Sequence, residues 1–345
     1  MIELPSTRYY GSKRRVAEKI YNTLSAEHIE YDSILDLFGG TGIVSYMMLL
    51  HDKRVIYNDI MQFNCINAAA LLQTPKNTFL PNNALDLLRE KNGMHYLTYI
   101  ADNFQDIYYT DDENHMIDVV IQNIHDLPVN QRNSAYYILF QSCLIKRPFN
   151  LFHRRNLNLR TNYTTSNFGN KKTWEIPFED LFVRFTNELN KFQFVRTPNV
   201  QITNVPALQS QSHADLVYID TPYFSSKSSD ISYHSRYHFL EGLVDYNNIP
   251  NAIDFHKSNH EITLGQNSEF VKKSTFLQEL DLLLGIHENS IIVLSYTNNG
   301  YPTIDELKNL VARHKENVKV VDLGHHSFAL NRNNMQRSEI LIIGI

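Results

Sequence analysis

The sequence predicts an α/β protein whose mostly parallel sheet is interrupted by an inserted, mainly helical domain. Short apolar runs alternate with helical stretches over the first 74 residues, and the alternation resumes near residue 177. Strand, tight turn, helix and strand in this order form the βαβ unit of a parallel sheet. The stretch 76–174 breaks this rhythm. We therefore expect one α/β domain built from residues 1–75 and 175–345, with residues 76–174 inserted as a second domain.

The segment before residue 76 contains two predicted strands and three predicted helices. The strands are the apolar runs SILDLF at 33–38 and RVIYND at 54–59, and a glycine-rich turn follows the first of them. Helical spacing of the apolar residues predicts helices over 13–24, 43–51 and about 61–73.

The inserted segment is predicted to contain helices over 83–104, 113–125 and 131–144, followed by an irregular, basic and Asn-rich stretch over 146–172. After it, we expect the following elements in order: a helix at 177–191, strands near 200–204 and 215–219, a helix at about 236–245, a polar loop at 246–266, an amphipathic helix at 268–284, and three strands, SIIVLSY, VKVVDL and SEILIIGI, with a helix near 303–314 between the first two.

Composition indicates a packed globular protein. The chain has 345 residues, of which 43% are apolar and 12% aromatic, well above what disordered chains show. Cys65 and Cys143 are too few for a disulfide framework or a four-thiolate zinc site. The pair His325 and His326 has no further ligands at useful spacing, so we expect no metal. Without a secretory signal or an apolar run of 18 residues, we expect a cytoplasmic protein.

Charge is distributed unevenly along the chain. The net charge of −5 excludes a generally cationic nucleic-acid binder, yet residues 101–126 hold seven acids and no Lys or Arg. Residues 141–174 hold seven Lys or Arg and no acid: Lys146, Arg147, Arg154, Arg155, Arg160, Lys171 and Lys172. One interpretation is two solvated faces of opposite sign, facing each other. The other is a local basic surface for a polyanion.

The glycine-rich turn DLFGGTG, residues 36–42, favours a ligand that carries an amine. Glycines let a ligand approach the main chain closely, but the spacing is not G-x-G-x-x-G and no Walker-type lysine follows. Asp36 before the glycines would repel a pyrophosphate. Asp59, at the end of the second strand, is placed to accept hydrogen bonds from a ribose diol. An amine and a ribose without phosphate suggest S-adenosylmethionine; a purely structural turn is the alternative.

Two further motifs carry candidate chemistry. In RYYGSKRR, residues 8–15, Lys13 at a helix start could bind a carboxylate, although a basic surface is an equal alternative. In DLVYIDTPY, residues 215–223, Asp220 follows a buried strand at the end where ligands bind in open α/β sheets. Asp220 and the Thr221 carbonyl could accept the two N–H groups of an adenine amine. Tyr223 offers a stacking face worth about 1–3 kcal/mol per base, and Pro222 stiffens the turn.

Together these motifs resemble those of the Dam-like, or α-group, DNA adenine-N6 methyltransferases of the restriction–modification type. That family orders a lysine motif, FxGxG, an inserted recognition domain and DPPY, which here read YYGSK from Tyr9 to Lys13, FGGTG from Phe38 to Gly42, and DTPY from Asp220 to Tyr223. The resemblance covers nearly the whole length, including LSYTNNG at 294–300 and the terminal SEILIIG. It implies a Rossmann-like class I methyltransferase sheet, mostly parallel with an antiparallel C-terminal strand.

The resemblance also implies roles for individual residues. Lys13 would hold the methionine carboxylate of S-adenosylmethionine with Tyr9 nearby. Asp220 would contact both the cofactor surroundings and the target amine, and Tyr223 would stack on the flipped base. Further cofactor contacts are expected from the glycine turn and the second strand, at Asp36, Phe38, Gly40, Gly42 and Asp59.

Two departures from the family pattern bear on activity. Thr221 stands where the first proline of DPPY is usual, so the turn is less rigid and the rate or the target amine could differ. The segment TNVPALQ lacks the acid that many members place after the third strand. Neither cysteine lies in a Pro-Cys context, which argues against methylation of cytosine C5 by thiolate attack.

The sequence therefore predicts a site-specific DNA adenine-N6 methyltransferase that uses S-adenosylmethionine and modifies double-stranded DNA. We expect a monomer that forms the protective half of a restriction–modification system, with a cognate endonuclease that acts independently. The basic residues of 146–172 are expected to contact DNA. Two alternatives stay open: transfer to another planar amine (RNA adenine, cytosine N4 or a protein glutamine), or a DNA-binding homologue without catalytic activity.

Overall fold

The chain forms two compact units. The computed structural model describes residues 2–161, 171–225, 230–266, 268–325 and 338–345. Residues 1–68, 198–233 and 266–345 make up the first unit, called here the sheet unit. Residues 69–197 and 234–265 make up the second, called the helical unit.

The sheet unit is built on a seven-stranded sheet. Its strands are β1 (Ser33–Asp36), β2 (Arg54–Asn58), β3 (Val200–Thr203), β4 (Leu216–Ile219), β8 (Ile291–Thr297), β10 (Val318–His325) and β11 (Ser338–Gly344). They lie in the order β10-β11-β8-β4-β1-β2-β3. Every neighbouring pair from β3 to β8 is parallel, whereas β11 runs antiparallel to both β8 and β10. This order confirms the class I methyltransferase fold and its antiparallel C-terminal strand.

Both faces of the sheet are buried. Leu35, Val217 and Ile292 belong to one apolar cluster with helices α13 (Phe276–Ile286) and α14 (Ile304–Val311). Successive strand residues point to opposite faces, and the neighbours of these residues, such as Ile34 and Val293, are also fully buried. The strands therefore read as continuous apolar runs, which is typical of a parallel sheet covered on both sides.

The remaining helices of the sheet unit are α1 (Ala17–Ala26), α2 (Ile43–Leu50) and α3 (Gln62–Ala68). The 3-10 turn Lys13–Arg15 precedes α1, whereas α2 and α3 follow β1 and β2 along the chain. The strands β5 (Phe224–Ser225) and β9 (Gly300–Tyr301) form a separate two-stranded antiparallel sheet, and β5 follows β4 along the chain. It ties the segment that follows Asp220 to the segment that follows β8.

The helical unit consists of short and long helices and one small hairpin. The helices are α4 (Pro81–Asp86), α5 (Tyr99–Asn103), α6 (Asp111–His125), α7 (Val129–Ile145), α8 (Asn158–Thr161), α9 (Lys171–Trp174), α10 (Phe178–Phe192), α11 (Tyr233–Val244) and α12 (Ile249–Ala252), and the hairpin pairs β6 (Ile253–Asp254) with β7 (Glu261–Ile262). Thr110 begins α6 with a capping box, because its hydroxyl accepts from the Glu113 N–H while Glu113 accepts from Thr110 N–H.

Three predicted elements are wrong. The helix expected over 83–104 is two short helices, because the chain between α4 and α5 is bound by α6: Gln122 accepts from the Leu97 N–H at 2.9 Å, and Asn123 accepts from the Tyr96 hydroxyl at 2.8 Å. The helix expected from 268 begins at Phe276, since residues 269–271 form a separate 3-10 turn that buries Phe270. The loop expected over 246–266 contains α12 and the β6–β7 hairpin.

The boundaries of the two compact units differ from the domain boundaries expected from the sequence. Residues 175–197 and 234–265 lie in the helical unit, whereas the sequence-based division placed both in the α/β domain. Assigning DNA recognition to residues 76–174 stays a prediction. Among the described helices, none is long and apolar enough to cross a membrane.

Candidate active site

A glycine turn follows β1 and lies against the ends of the neighbouring strands. Leu37 N–H donates to the Tyr218 carbonyl at 3.1 Å, and Gly39 N–H donates to the Asn58 carbonyl at 2.8 Å. A Cβ at Gly39 would lie 2.1 Å from the Tyr57 ring, so no larger residue fits there. Gly40 has φ +49 and starts the tight turn that leads into α2. The absence of side chains at Gly39 and Gly40 therefore lets the Tyr57 and Tyr9 rings pack directly on the backbone of the turn.

Three aspartates lie at the carboxyl ends of β1, β2 and β4. Asp36 is buried, accepts a hydrogen bond from the Ser45 hydroxyl at 2.7 Å, and has its pKa raised to about 7 by burial, with a contribution from the negative charges of Asp220 and Asp59. Asp59 accepts from the Gly40 N–H and the Met61 N–H, both at 2.8 Å, and burial raises its pKa as well. These ends meet beside the point where the strand order reverses, the usual ligand site of open α/β sheets.

Aromatic rings line the same edge. Tyr9 stacks on Tyr233 with ring centroids 5.6 Å apart, and its hydroxyl accepts from the Asn64 amide at 3.2 Å. The Tyr9 ring would lie 3.4 Å from a Cβ at Gly40, so Tyr9 covers the glycine turn. Phe38 packs edge-to-face on Phe270 at 5.2 Å. The predicted cofactor residues Tyr9, Phe38, Gly40 and Asp59 are thus brought together at one edge of the sheet, and their contacts with a cofactor stay a prediction.

The segment Asp-Thr-Pro-Tyr follows β4 directly. Thr221 is 2% exposed, and within the described ranges its hydroxyl oxygen has no hydrogen-bond partner. Immediately after Tyr223, Phe224 pairs with Tyr301 in the β5–β9 sheet. The Tyr223 ring also packs on Tyr296, with centroids 4.8 Å apart. The turn is therefore anchored on its C-terminal side despite the threonine in place of a first proline.

Four side chains converge beside this turn, and we call them the acid cluster: Lys13, Asp220, Tyr223 and Glu339. Lys13 Nζ donates to Asp220 Oδ1 at 2.7 Å and to the Tyr223 hydroxyl at 2.6 Å, and it lies 3.4 Å from Glu339 Oε1. The Tyr223 hydroxyl lies 2.6 Å from Asp220 Oδ1 and 2.6 Å from Glu339 Oε1. All four belong to the sheet unit.

Burial and charge act in opposite directions in the acid cluster. Burial raises the pKa of Asp220 to about 6; the charge of Lys13 lowers it and the charge of Glu339 raises it. For Lys13, burial lowers the pKa, but the charges of Asp220 and Glu339 outweigh burial and raise it above its ordinary value. Lys13 is therefore an ammonium, and Asp220 changes protonation state near neutral pH.

Sequence reasoning missed Glu339 and its neighbour Ser295. Glu339 is fully buried on β11 and accepts a hydrogen bond from the Ser295 hydroxyl on β8. The available signal was a single acid within the otherwise apolar run SEILIIGI. A charged residue inside a buried strand is rare without partners, so this acid indicated a polar cluster at the start of the strand.

The predicted DNA-binding residues fall into two groups. The first group is buried within the helical unit. Lys146 and Arg160 both pair with Glu113, at 2.9 and 2.7 Å, and the Arg147 guanidinium donates to the carbonyls of Leu151 and Arg154. Arg147 is 1% exposed, and burial lowers its pKa to about 10. These three side chains hold the basic segment together, and their expected contacts with DNA stay a prediction.

The second group is exposed. Arg154, Arg155 and Lys172 lie at the surface of the helical unit, and Arg155 donates to the Asp106 carbonyl at 2.9 Å. The side chain of Lys171 and residues 162–170 lie outside the described part of the chain, as do the side chain of His325 and all of His326. In the described ranges, no three His, Cys, Asp or Glu side chains lie together as a metal site would require.

Comparison with known proteins identifies the family. Residues 9–280 match the model of the D12 class N6 adenine-specific DNA methyltransferases. The chain is 23% identical to the type II methyltransferase M2.HphI of Haemophilus parahaemolyticus, over 98% of this chain and 97% of that protein. It is 22% identical to the type II methyltransferase M.CviAII of Paramecium bursaria Chlorella virus 1, over 93% of this chain and 92% of that protein.

A further relative is longer. The chain is 27% identical to the modification methylase StsI of Streptococcus sanguinis, over 88% of this chain but only 46% of that protein. The family match spans the glycine turn, the inserted segment and the Asp-Thr-Pro-Tyr turn. It confirms the resemblance carried by these three motifs in their order along the sequence. The chain belongs to the D12 class N6 adenine-specific DNA methyltransferases and transfers a methyl group to adenine in DNA.

Proposed function

We propose that this methyltransferase takes its methyl group from S-adenosylmethionine and modifies the flipped adenine of a specific duplex site, with Asp220 as the residue that orients the target amine. The observation that carries the proposal is the convergence of Asp36, Asp59 and Asp220 at adjacent strand ends, since the charges of Asp59 and Asp220 both contribute to the raised pKa of Asp36. Acids at a glycine turn suit an amine, a sulfonium and ribose hydroxyls, and repel phosphate.

The residues present fit this cofactor by their chemistry. Asp59 would accept a hydrogen bond from the ribose at Oδ2, which retains a lone pair beyond the one used by the Gly40 N–H, whereas Oδ1 already accepts from the Met61 N–H and the Asn64 amide. Asp36, Phe38, Gly40 and Gly42 would line the methionine end with Tyr9. When bound, S-adenosylmethionine would supply an electrophilic methyl group on a sulfonium. The predicted carboxylate contact of Lys13 is less favoured, because its ammonium is occupied by the acid cluster.

The chain's own contribution to the reaction is orientation of the amine. Adenine N6 is a poor nucleophile because its lone pair is delocalised into the ring. Asp220 and the Thr221 carbonyl would each accept one N–H, which favours a tetrahedral nitrogen with a free lone pair. Tyr223 would contact the ring of the flipped base. Positioning and fixed charges therefore supply most of the rate, with no covalent enzyme intermediate.

DNA binding is assigned to the exposed basic residues of the helical unit. Arg154, Arg155 and Lys172 would contact phosphates or guanine edges. The buried Lys146, Arg147 and Arg160 would fix the segment that carries them. The printed names of the relatives, type II methyltransferases and modification methylases, support a role as the modification enzyme of a restriction–modification system. A separate endonuclease that recognises the same site is the expected partner, and a monomer suffices for one active site.

The test is transfer of label from methyl-labelled S-adenosylmethionine to unmethylated plasmid DNA, total RNA and protein in parallel. We expect label in DNA only, and nucleoside mass spectrometry should identify it as N6-methyladenine. Label in RNA or protein instead would move the acceptor. N4-methylcytosine would contradict the adenine assignment.

The remaining alternative, a DNA-binding protein without activity, rests on Thr221. Calorimetry with S-adenosylmethionine distinguishes this alternative from an active enzyme, because an inactive homologue would bind DNA but release no heat with the cofactor. A variant with the usual proline, Thr221→Pro, provides a matched comparison. Equal rates in both proteins would show that the anchoring of the turn by β5 and β9 compensates for the missing ring.

A further inference from the structure

Glu339 is the second residue of β11 and lies opposite Thr297, the last residue of β8. It is fully buried, and its Oε1 accepts from the Ser295 hydroxyl while lying 2.6 Å from the Tyr223 hydroxyl and 3.4 Å from Lys13 Nζ. Within the described part of the chain, its second oxygen, Oε2, has no hydrogen-bond partner. A buried acid costs several kcal/mol unless it is paired, so a carboxyl group with one oxygen unused calls for a reason beyond packing.

The Tyr223 hydroxyl bridges the two carboxyl groups of the cluster. Its oxygen lies 2.6 Å from Asp220 Oδ1 and 2.6 Å from Glu339 Oε1, and its single hydrogen can be donated to one of them at a time. Lys13 Nζ donates to the same hydroxyl and to Asp220 Oδ1. Glu339 is therefore connected to Asp220 through both Tyr223 and Lys13.

The same contacts determine which oxygen of Asp220 faces the ligand side. Lys13 and Tyr223 both end on Oδ1, so Oδ2 takes no part in the cluster. The side chain of Asp220 is 17% exposed, whereas that of Lys13 is 5% exposed and that of Glu339 is fully buried. Binding of Oδ1 on the buried side fixes the rotation of the carboxyl group and leaves Oδ2 for the target amine.

We propose that Glu339 is a positioning residue for methyl transfer: through Tyr223 and Lys13 it fixes Asp220 Oδ1 and leaves Oδ2 to face the target amine. The proposal rests on the function assigned to Asp220 above. It assigns Lys13 to the support of Asp220 rather than to a cofactor carboxylate. Glu339 would contact neither S-adenosylmethionine nor the target adenine, and it acts through Tyr223 and Lys13.

Removal of the charge of Glu339 has a directional consequence. The negative charge of Glu339 contributes to the raised pKa of Asp220, and the positive charge of Lys13 opposes it. An ionised Asp220 is a stronger acceptor for an N–H than a protonated one, so we expect the transfer rate to fall on the acid side of its pKa. Glu339→Gln should therefore move the acid limb of the rate to lower pH. Lys13→Met should move it to higher pH.

The experiment measures the single-turnover rate of N6-methyladenine formation between pH 5 and 9, with saturating S-adenosylmethionine and duplex DNA. Glu339→Gln preserves shape and hydrogen bonding, so we expect a rate about tenfold lower at pH 8, KM for DNA within about twofold of wild type, and a shifted acid limb. Ser295→Ala is the control, because it removes one bond to Glu339 and keeps its charge; its limb should not move.

The outcomes separate this proposal from the proposed function. A wild type without N6-methyladenine would contradict the function itself. If wild type is active, two results would overturn the positioning role. One is an acid limb of the pH–rate profile that is the same in Glu339→Gln as in wild type. The other is a shift of this limb in the same direction in Glu339→Gln and Lys13→Met. Complete loss of transfer at every pH in a Glu339→Gln protein that melts like wild type would also overturn it. If that variant does not fold, the limb of Lys13→Met decides alone: a shift to higher pH supports the proposal, and no shift contradicts it.

Discussion

Each unit of this methyltransferase buries charged groups, but the balance of charge differs between them. In the helical unit, Glu113 meets two cations: Lys146 Nζ at 2.9 Å and the Arg160 guanidinium in a bidentate pair at 2.7 and 2.8 Å. We call these three residues the ion cluster. In the sheet unit, the acid cluster places one cation, Lys13, against two carboxyl groups.

The excess charge decides the protonation state of the acid. Burial would raise the pKa of Glu113, but the hydrogen bond and charge of Arg160, with the charge of Lys146, outweigh it and hold the pKa below its ordinary value. Burial raises the pKa of Asp220 to about 6, because one lysine does not compensate for both burial and Glu339. An excess of cations therefore yields a permanent structural anion, whereas an excess of acids yields a group that titrates near neutral pH, as catalytic groups do.

The largest effect is expected at Asp220. Asp220→Ala removes the proposed acceptor for the target amine, so we expect the single-turnover rate of methyl transfer to fall by about a thousandfold or more. Equilibrium binding of DNA and of S-adenosylmethionine should change much less. The matched control is Asp215→Ala at the opposite end of β4, where Asp215 accepts from Ser33 N–H at 2.8 Å. Asp215→Ala should retain the wild-type rate. Methyl transfer by Asp220→Ala at a rate close to that of Asp215→Ala would contradict the role proposed for Asp220.

The second effect is on stability and belongs to the ion cluster. Glu113→Gln leaves Lys146 and Arg160 buried without a counter-charge, which should lower the free energy of unfolding of the helical unit by about 3 kcal/mol. Urea unfolding followed by circular dichroism measures it. The transfer rate of the folded fraction should stay within about twofold of wild type. An unchanged unfolding midpoint would show that the cluster does not support the helical unit.

The third effect separates the clusters by pH. Asp220, with a pKa of about 6, is mostly protonated at pH 5, so we expect the transfer rate to be about tenfold lower there than at pH 8. Glu113 has a lowered pKa, and its stabilisation is lost only as pH falls through that value. The protein should therefore be folded but slow at pH 5, and recover on return to pH 8. A flat rate down to pH 5 would refute the assignment.

The smallest effect concerns the exposed basic residues. Replacing Arg154 and Arg155 with Ala should reduce the slope of log binding constant against log salt by about 0.9 for each phosphate that the variant no longer neutralises. Fluorescence anisotropy with a labelled duplex at four salt concentrations measures the slope. Arg147→Ala provides the comparison, since the buried Arg147 binds internal carbonyls: it should lower stability. A full reduction in slope from Arg147→Ala in a stable protein would reverse our division of the basic residues.

The sheet, and the edge of it where Asp36, Asp59 and Asp220 lie, were predictable because their sequence signals are local. Apolar runs ending in Asp36, Asp59 and Asp220 indicate strands whose ends meet, and the glycine turn requires no distant partner. The positions of the basic residues were not predictable in this way. Arg147 reads as a surface residue until the fold brings the carbonyls of Leu151 and Arg154 to its guanidinium.

The long-range contacts of single polar groups explain the other differences. One acid of the stretch 101–126, Glu113, meets two bases of the stretch 141–174, Lys146 and Arg160, in a buried cluster. Most other acids of that stretch, such as Asp111, are exposed. Glu339 lies 326 positions after Lys13 in the chain, and its role depends on β11 lying next to β8. Only an unusual acid in an apolar strand indicated its importance. The helix expected over 83–104 ends early because side chains of α6 bind the intervening backbone.

The most direct test of the role of Asp220 is the methylation state of a plasmid grown in a methylation-free host that expresses the chain. Long-read sequencing and nucleoside mass spectrometry of that plasmid would be compared for wild type, Asp220→Ala and Asp215→Ala. We predict N6-methyladenine at one fixed sequence with wild type and with Asp215→Ala, and none with Asp220→Ala. N6-methyladenine in the Asp220→Ala plasmid, or its absence with a well-expressed wild type, would contradict the central role of Asp220.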